Sequence, residues 1–502
     1  MTQTAAERGA AGPEPRRRKG LGRTAARGAA YLGLSQIIRL AITMISTVAV
    51  ARVLRPDDFG VIAMTAPITG FILLFQNLGL NQALIQARTI SDEQMNALFF
   101  YNMLASAAIA AILLLVSPLV GLFYGDERAS YITAASAITV LLTGSTLQHT
   151  ALINRNMRFR ALGFVEVAVA ATNLVAAFCF ALWLRNYWAI WLGTLCGVLV
   201  NVVLVWSLSP WRPSRHVAWG SARHMITFGA HLTGFNLLNF LSRNLDNVLI
   251  AKFWGPAAVG LYDRSYKLML FPLRTLNTPL GRIMLPALSR VQDDPARFRR
   301  MFLLALRALS IVSIPGIIAA AICSDRLVPF LLGDHWSAAG PIFFWLSLAG
   351  IAQPASNATG WLFISTGRTR EMFRWGLVGT PTTILSFFIG LPWGGVGVAA
   401  AIFFGQMLRI PILYAWSTRD TPVRARDLYA AMAPTLVGGA LAWISVEWLR
   451  HVLPTAAFIL IAFVLSYGFT LVVQSATLQG RLALGEMIRL GLSVVRRRAS
   501  NG

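Results

Sequence analysis

Charge is scarce in this chain: 13% of its 502 residues are charged, whereas 56% are hydrophobic. Its mean hydropathy is +0.61. Soluble domains normally have about a quarter of their residues charged, so a soluble globular protein is excluded. Instead, apolar stretches of about 18 to 25 residues recur between short polar breaks, and each could cross the bilayer core as a helix.

Few residues are available for catalysis or metal binding. The three cysteines, Cys179, Cys196 and Cys323, lie in or beside apolar stretches, which favours core positions over disulfides. The sequence has neither the Gly-x-x-x-x-Gly-Lys-Ser/Thr loop that holds nucleotide phosphates nor the His-Glu-x-x-His zinc helix. We therefore expect a protein that is not an enzyme and that has no metal and no cofactor.

The acidic residues are also few, with 20 Asp and Glu against 44 Lys and Arg. If the apolar stretches are helices, the segments between them alternate between basic and nearly uncharged. The basic set, with the two termini, contains about 29 of the 44 cations, and basic short loops remain in the cytoplasm. Both termini are then cytoplasmic. Because the cations lie where anionic headgroups would meet them, we expect membrane lipids and no nucleic acid as partners.

The pattern predicts an all-α polytopic membrane protein with about fourteen transmembrane helices, in two pseudo-symmetric six-helix lobes plus two C-terminal helices. The spans are expected near residues 30–51, 57–77, 95–118, 129–152, 161–184, 187–207, 225–252, 258–286, 299–323, 339–365, 371–391, 396–416, 429–449 and 453–475. The corresponding divisions are a basic cytoplasmic tail 1–27, an N-lobe 28–207, a cytoplasmic linker 208–224, a C-lobe 225–416, the helices of 417–475 and a basic amphipathic tail 476–502.

An internal repeat supports the two lobes. Ala51, Arg52, Pro56 and Gly60 recur at a constant spacing as Ala251, Lys252, Pro256 and Gly260. Each set joins the first and second spans of its lobe. Pro-x-x-x-Gly is also a common turn between helices, and that simpler interpretation stays open. A parallel repeat of six spans has its symmetry axis along the membrane normal, which favours an alternating-access transporter.

Charged residues within the predicted spans mark the candidate site, since a charge at bilayer depth should face protein or a water-filled cavity. Eight are basic and three are acidic: Arg39, Arg243, Arg264, Lys267, Arg274, Arg282, Arg307 and Arg409, with Glu166, Asp246 and Asp263. Polar residues form stripes on the first, seventh and eighth spans. These stripes predict a central basic cavity suited to phosphate or pyrophosphate.

The predicted substrate-binding residues are Gln36, Arg39, Asn239, Arg243, Asp246, Arg264, Lys267 and Arg274, with Glu166 and Asp246 as candidate coupling acids. Other interpretations remain for some of them. Arg274, Arg282 and Arg307 could extend to the cytoplasmic surface instead. Asp246 could be a structural partner of Arg243, and Asp263 of Lys267.

Several motifs resemble the opening of Wzx/WzxC-type polysaccharide flippases, which belong to the multidrug/oligosaccharidyl-lipid/polysaccharide exporter superfamily. They are Ala51-Arg-Val-Leu-Arg-Pro-Asp-Asp-Phe-Gly60, Asn77-Leu-Gly-Leu80, Ala83-Leu-Ile-Gln86, Asn154-Arg-Asn-Met-Arg-Phe159, Asn244-Leu-Asp-Asn-Val-Leu-Ile-Ala251 and Gly260-Leu-Tyr-Asp-Arg-Ser-Tyr266. The resemblance extends over roughly residues 30–475. The family often has an acid where Asn77 stands, which argues against proton coupling at that position.

The resemblance implies a V-shaped fold of two lobes in a bacterial inner membrane. It also implies movement of undecaprenyl-diphosphate-linked oligosaccharide to the outer leaflet, for cell-surface, lipopolysaccharide or exopolysaccharide synthesis, with a polymerase and export machinery as further partners. Two alternative functions remain. A drug or metabolite antiporter for cations would require an acidic cavity. A polysaccharide polymerase or ligase would require catalytic groups in an outer loop, and the longest one, 324–340, is short.

Overall fold

A computed structural model describes residues 16–77, 91–214 and 223–499, and the side chains of most of them. The described residues form seventeen α-helices and no strand, and two short 3-10 helices lie at Asp334–Ala339 and Leu391–Trp393. The helices are α1 Arg16–Ala51, α2 Pro56–Asn77, α3 Asp92–Tyr124, α4 Glu127–Gly144, α5 Leu147–Arg155, α6 Phe159–Leu184, α7 Trp188–Leu208, α8 Arg223–Ser289, α9 Pro295–Ile322, α10 Ser324–Leu332, α11 Gly340–Gly350, α12 Gln353–Ser365, α13 Thr369–Gly390, α14 Gly394–Thr418, α15 Ala425–Leu449, α16 Thr455–Ala476 and α17 Leu478–Ala499.

The all-α membrane fold is confirmed. Ten helical segments of the described chain are long and apolar enough to cross a bilayer, and one of them, Thr369–Thr418, contains both α13 and α14. With these two helices counted separately, and with α2 and the segments 223–254 and 256–289 of α8, the described chain accounts for all fourteen predicted spans. Large apolar side chains face outward along these helices, including Leu115 at 76% and Trp448 at 87% exposure. Such surfaces are stable only against lipid.

Four spans differ in detail from the prediction. The seventh and eighth are one helical element, α8, because Gly255 adopts φ +80 and kinks the chain without ending the helix. We call residues 223–254 the first arm of α8 and residues 256–289 its second arm. The fourth span is divided at Ser145–Thr146 into α4 and α5, and the tenth at Ile351–Ala352 into α11 and α12. The expected outer loop 324–340 is also largely helical, as α10 and a 3-10 helix.

Small residues allow neighbouring helices to approach closely, as is usual where lipid supplies no hydrophobic drive between helices. A Cβ atom on Gly193 of α7 would lie 2.5 Å from the Cβ of Ala177 in α6. Gly390 and Gly397 join α13 and α14 in the same way. Hydrogen bonds reinforce the packing of α16 on α9, where the Ser466 hydroxyl donates to the Pro315 carbonyl at 2.7 Å.

Candidate functional site

The two copies of the repeat motif lie against each other where α2 crosses the second arm of α8. A Cβ atom on Gly60 would lie 1.8 Å from the Pro256 carbonyl oxygen. The reciprocal Cβ on Gly260 would lie 2.0 Å from the Pro56 carbonyl oxygen. Each glycine therefore allows the backbone of the other motif to make contact. We call this end of the bundle, with the α1–α2 turn and the Gly255 kink, the hairpin end.

The basic residue of each motif reaches across to the other half of the chain. Arg52 donates to the carbonyl oxygens of Phe330 and Leu331 at 2.6 and 3.0 Å, at the end of α10. Lys252 donates to the carbonyl oxygen of Phe123, at the end of α3. Cations near the C-terminus of a helix satisfy carbonyls that have no partner within the helix. The two contacts occupy equivalent positions in the two halves.

Trp336 completes the contact between the halves. Its side chain is fully buried, and its indole N–H donates to the Ala51 carbonyl oxygen at 2.9 Å. The Phe59 ring meets it edge to face, with ring centroids 5.2 Å apart. The contacts of Gly60, Gly260, Arg52, Lys252 and Trp336 together form what we call the hairpin-end seal. In this structure the two halves of the chain are therefore closed against each other at that end.

Below the seal lies a cavity of about 530 Å³. It is surrounded by α1, α2, α5, α6 and α7, and Arg264 enters it from the second arm of α8. Two of the predicted site residues, Arg39 and Arg264, therefore line the same cavity although they belong to different halves of the chain. The other lining residues are Thr43, Ser46, Thr47, Val50, Phe59, Thr150, Leu162, Val165, Glu166, Val169, Ala170, Asn173, Ala177, Ile190, Asn201 and Val205.

Arg39 is positioned by a small polar cluster on α1 and α6. Its Nε lies 3.7 Å from Oε2 of Glu166, and its Nη2 donates to the Gln36 side-chain oxygen at 3.3 Å. Gln36 in turn donates to Oε2 of Glu166 at 3.1 Å. The Arg39 side chain is 44% exposed and lines the cavity, so it is accessible to a ligand there. Gln36, Arg39 and Glu166, all predicted site residues, are thus brought together.

Arg264 is held more tightly. Its side chain is 12% exposed, and its guanidinium lies over the Phe59 ring, 4.5 Å from the centroid. Its Nη2 lies 3.2 Å from Oδ2 of Asp263. Lys267 reaches the same oxygen at 2.8 Å. Two cations thus share one buried carboxylate, which leaves an excess positive charge beside the cavity.

The remaining predicted residues have different outcomes. Asp246 is 5% exposed and accepts a hydrogen bond from the Tyr262 hydroxyl at 2.9 Å, which ties the two arms of α8 together. The sequence did not indicate Tyr262 as the partner of Asp246. The two are sixteen residues apart, and Pro256 between them suggested that the helix is interrupted. The side chains of Asn239, Arg243 and Arg274 lie outside the described residues, although their helix, α8, is described.

Sequence reasoning also missed the uncharged polar residues of the cavity wall. Thr150, Asn173 and Asn201 lie on α5, α6 and α7, and none of them is charged. These three residues form no periodic stripe in the sequence, because each of the three helices contributes one of them to the cavity wall. They could be found only once the packing of these three helices was known.

Comparison with known proteins agrees with this architecture. Residues 49–341 match the family described as "Polysaccharide biosynthesis protein". The lipopolysaccharide biosynthesis protein WzxC of Escherichia coli (strain K12) is 22% identical over 394 residues, which cover 77% of this chain and 79% of WzxC.

Two solved structures share the fold. The lipid II flippase MurJ in an inward closed conformation superposes with a TM-score of 0.71 at 12% identity, over 89% of this chain and 98% of MurJ. A multidrug resistance MATE family transporter of the MOP superfamily superposes with a TM-score of 0.61 at 12% identity, over 79% of this chain and 99% of that one. The matched family region spans more than half of the sequence and includes both copies of the repeat motif, so this chain belongs to the polysaccharide biosynthesis protein family.

Proposed function

We propose that this protein is a flippase that moves undecaprenyl-diphosphate-linked oligosaccharide units across the inner membrane for cell-surface or exopolysaccharide synthesis. The observation that carries the proposal is the cavity in which Arg39 and Arg264, from the two halves of the chain, lie below a closed seal. Such a cavity can bind a headgroup that both halves contact and then release it when they separate. The names of WzxC and MurJ place similar proteins in lipopolysaccharide synthesis and lipid II flipping.

The chemistry of the two arginines suits a diphosphate. A guanidinium presents several N–H donors in a planar fork that matches phosphate oxygens, and it remains charged at any physiological pH. The polyprenyl chain needs no protein pocket, because the outward faces of the helices already contact lipid. The cavity therefore has to accommodate only the diphosphate and the nearest part of the glycan.

Glu166 is our candidate coupling acid. Its carboxylate faces Arg39 within the cavity, so a phosphate that binds Arg39 competes with it. When the phosphate displaces it, the carboxylate loses its ion pair with Arg39. Asp246 is the second candidate, but its oxygen is engaged by Tyr262 and buried. Glu166 is therefore better placed to respond to substrate.

The two alternatives fit less well. A carrier of cationic drugs would need an acidic cavity, whereas the described lining contains two arginines and one glutamate, with Lys267 adjacent. A polymerase or ligase would present catalytic groups outside the membrane. In 324–339, Asp325 and Arg326 are instead engaged in helix packing, through contacts with Arg450 and Leu453. We include a polymerase and export machinery in the proposal only as downstream partners of the flipped lipid.

Reconstitution tests the proposal directly. Purified protein is placed in vesicles with a polyprenyl-diphosphate oligosaccharide labelled on its glycan, and a glycosidase added outside measures how much lipid has reached the outer leaflet. We expect complete cleavage with the protein and cleavage of only the initially exposed fraction without it. Equal cleavage in both would refute the proposal, and uptake of a cationic dye by the same vesicles would favour the drug carrier.

Topology gives a second, independent test. We propose that the hairpin end is periplasmic and that both termini are cytoplasmic. Asp293 and His335 are both exposed, near opposite ends of the bundle. In a variant without native cysteines, His335→Cys should react with an impermeant maleimide in spheroplasts. Asp293→Cys should react only after the membrane is permeabilised. The reverse pattern would contradict the orientation.

A further inference from the structure

The two arginines of the cavity lining and three of its uncharged polar residues lie on different helices. Arg39 and Arg264 lie on α1 and the second arm of α8, whereas Thr150, Asn173 and Asn201 lie on α5, α6 and α7. Among the described lining residues there is one carboxylate, that of Glu166 on α6, and it is engaged by Gln36 and Arg39. The described lining therefore has its cations on α1 and α8, whereas the α5–α7 wall contributes three uncharged polar residues and this paired carboxylate.

The α5–α7 wall has hydrogen-bonding capacity that the described protein does not use. Asn173 donates one amide N–H to the Thr194 hydroxyl at 3.5 Å, and Asn201 donates one to the Thr146 hydroxyl at 3.4 Å, both long contacts. No donor among the described residues reaches either amide oxygen. The Thr150 hydroxyl makes no hydrogen bond in the described chain, whereas Thr43 and Thr47 each donate to the carbonyl four residues before them.

Unused groups of this kind are the ones that bind a polar, uncharged ligand. An amide can accept from one hydroxyl and donate to the next, and a threonine hydroxyl can do either. Apolar residues between them, such as Val169 and Ala170, suit the C–H face of a sugar ring. A carboxylated sugar at this wall would find no cation among the described lining residues of α5, α6 and α7, and it would meet the carboxylate of Glu166 on α6.

Building on the proposed flippase function, we propose that the α5–α7 wall, through Thr150, Asn173 and Asn201, binds the sugar attached to the diphosphate and selects a neutral one. The diphosphate then lies between Arg39 and Arg264, and the sugar extends from it toward the wall. Specificity for the first sugar thus resides in the N-terminal half of the chain, whereas the anion is shared by both halves.

Binding of three short-chain lipids to the protein in nanodiscs tests this inference. The probes are a bare polyprenyl diphosphate, the same lipid with one neutral hexose, and the same lipid with one hexuronic acid. We expect the neutral-hexose lipid to bind about tenfold more tightly than the bare diphosphate, from one or two added hydrogen bonds. We expect the lipid with a hexuronic acid to bind no more tightly than the bare diphosphate.

Asn173→Leu and Asn201→Leu keep the branched shape of the side chain but remove the hydrogen-bonding groups. Each should reduce the affinity for the neutral-hexose lipid about three- to tenfold and leave that for the bare diphosphate unchanged, which also shows that the variant is folded. Ser207→Ala on α7, outside the cavity lining, is the matched control and should change neither affinity.

The outcomes separate the two proposals. If both Leu variants bind the neutral-hexose lipid as tightly as the wild type does, or if the hexuronic lipid binds best, the wall does not select a neutral sugar and the flippase proposal stands. Equal loss for bare and sugar-bearing lipids would also overturn the inference. If the wild type binds none of the three lipids, the proposed function itself fails, and this inference with it.

Discussion

Replacement of Gly60 or Gly260 by alanine is expected to slow lipid translocation by about one to two decades. A Cβ on either residue would overlap a backbone carbonyl of the other motif, at 1.8 and 2.0 Å. Backbone at a helix crossing cannot move aside as a flexible side chain can, so α2 and the second arm of α8 must separate. Overpacking of this kind typically costs about 1–3 kcal/mol, and each 1.4 kcal/mol shifts a conformational equilibrium about tenfold. The closed form of the hairpin-end seal would lose that much population.

Two measurements check this expectation. The first is the translocation rate in vesicles. The second is maleimide labelling of a cysteine at Ala51, which is fully buried beneath the seal and should react faster in the glycine variants. Gly376→Ala is the matched control, because a Cβ there would meet nothing within 4 Å. A Gly60→Ala protein with wild-type transport and slow labelling would show that this contact does not close the cavity.

Loss of Arg39 or Arg264 is the second large expected effect. A charge-assisted hydrogen bond to phosphate contributes about 1.5–3 kcal/mol, so alanine at either position should weaken binding of the lipid diphosphate by about one to two decades. Arg264→Lys should recover only part of the affinity, because an ammonium lacks the bidentate fork and stacks less well on Phe59. Affinity in nanodiscs and translocation in vesicles measure the two consequences separately.

Arg409 supplies the control for this experiment. It also lies within a span, but it donates to the Gly379 carbonyl oxygen at 3.2 Å and contacts two threonines of α13, outside the cavity lining. Arg409→Ala therefore removes the same charge from the same depth range. It should leave the diphosphate affinity unchanged. If it weakens binding as much as Arg39→Ala does, the effect is one of overall charge and not of a site.

The fold was largely predictable because a bilayer permits few alternatives: an apolar run of span length must be a helix. The kink in α8 could not be predicted. Pro256 suggests that the helix is interrupted there, whereas the chain kinks at Gly255, which has a positive φ, and remains helical. The repeat could be read from the spacing of Gly60 and Gly260. The contact between the two copies could not be predicted, because sequence spacing does not specify how two lobes meet.

The candidate site shows the same division. Arg39 and Arg264 were recognisable individually because a charge in a span is costly and needs a reason. The ion pair of Arg39 with Glu166 joins residues 127 positions apart in the sequence, and no local pattern predicts such a distance. Asn173 and Asn201 carry no charge penalty and follow no stripe, so only the assembled helices reveal them.

The hairpin-end seal has a consequence for how this sequence can vary. Its acceptors are backbone carbonyls at Ala51, Phe123, Phe330 and Leu331, and every residue type supplies a carbonyl. Acceptor positions can therefore change identity without loss of these hydrogen bonds, whereas the donors Arg52, Lys252 and Trp336 cannot. We do not expect a substitution at a donor position to be compensated by one at its acceptor position, because the acceptor is a backbone carbonyl whatever residue stands there. The two halves can thus diverge in sequence and still close on each other.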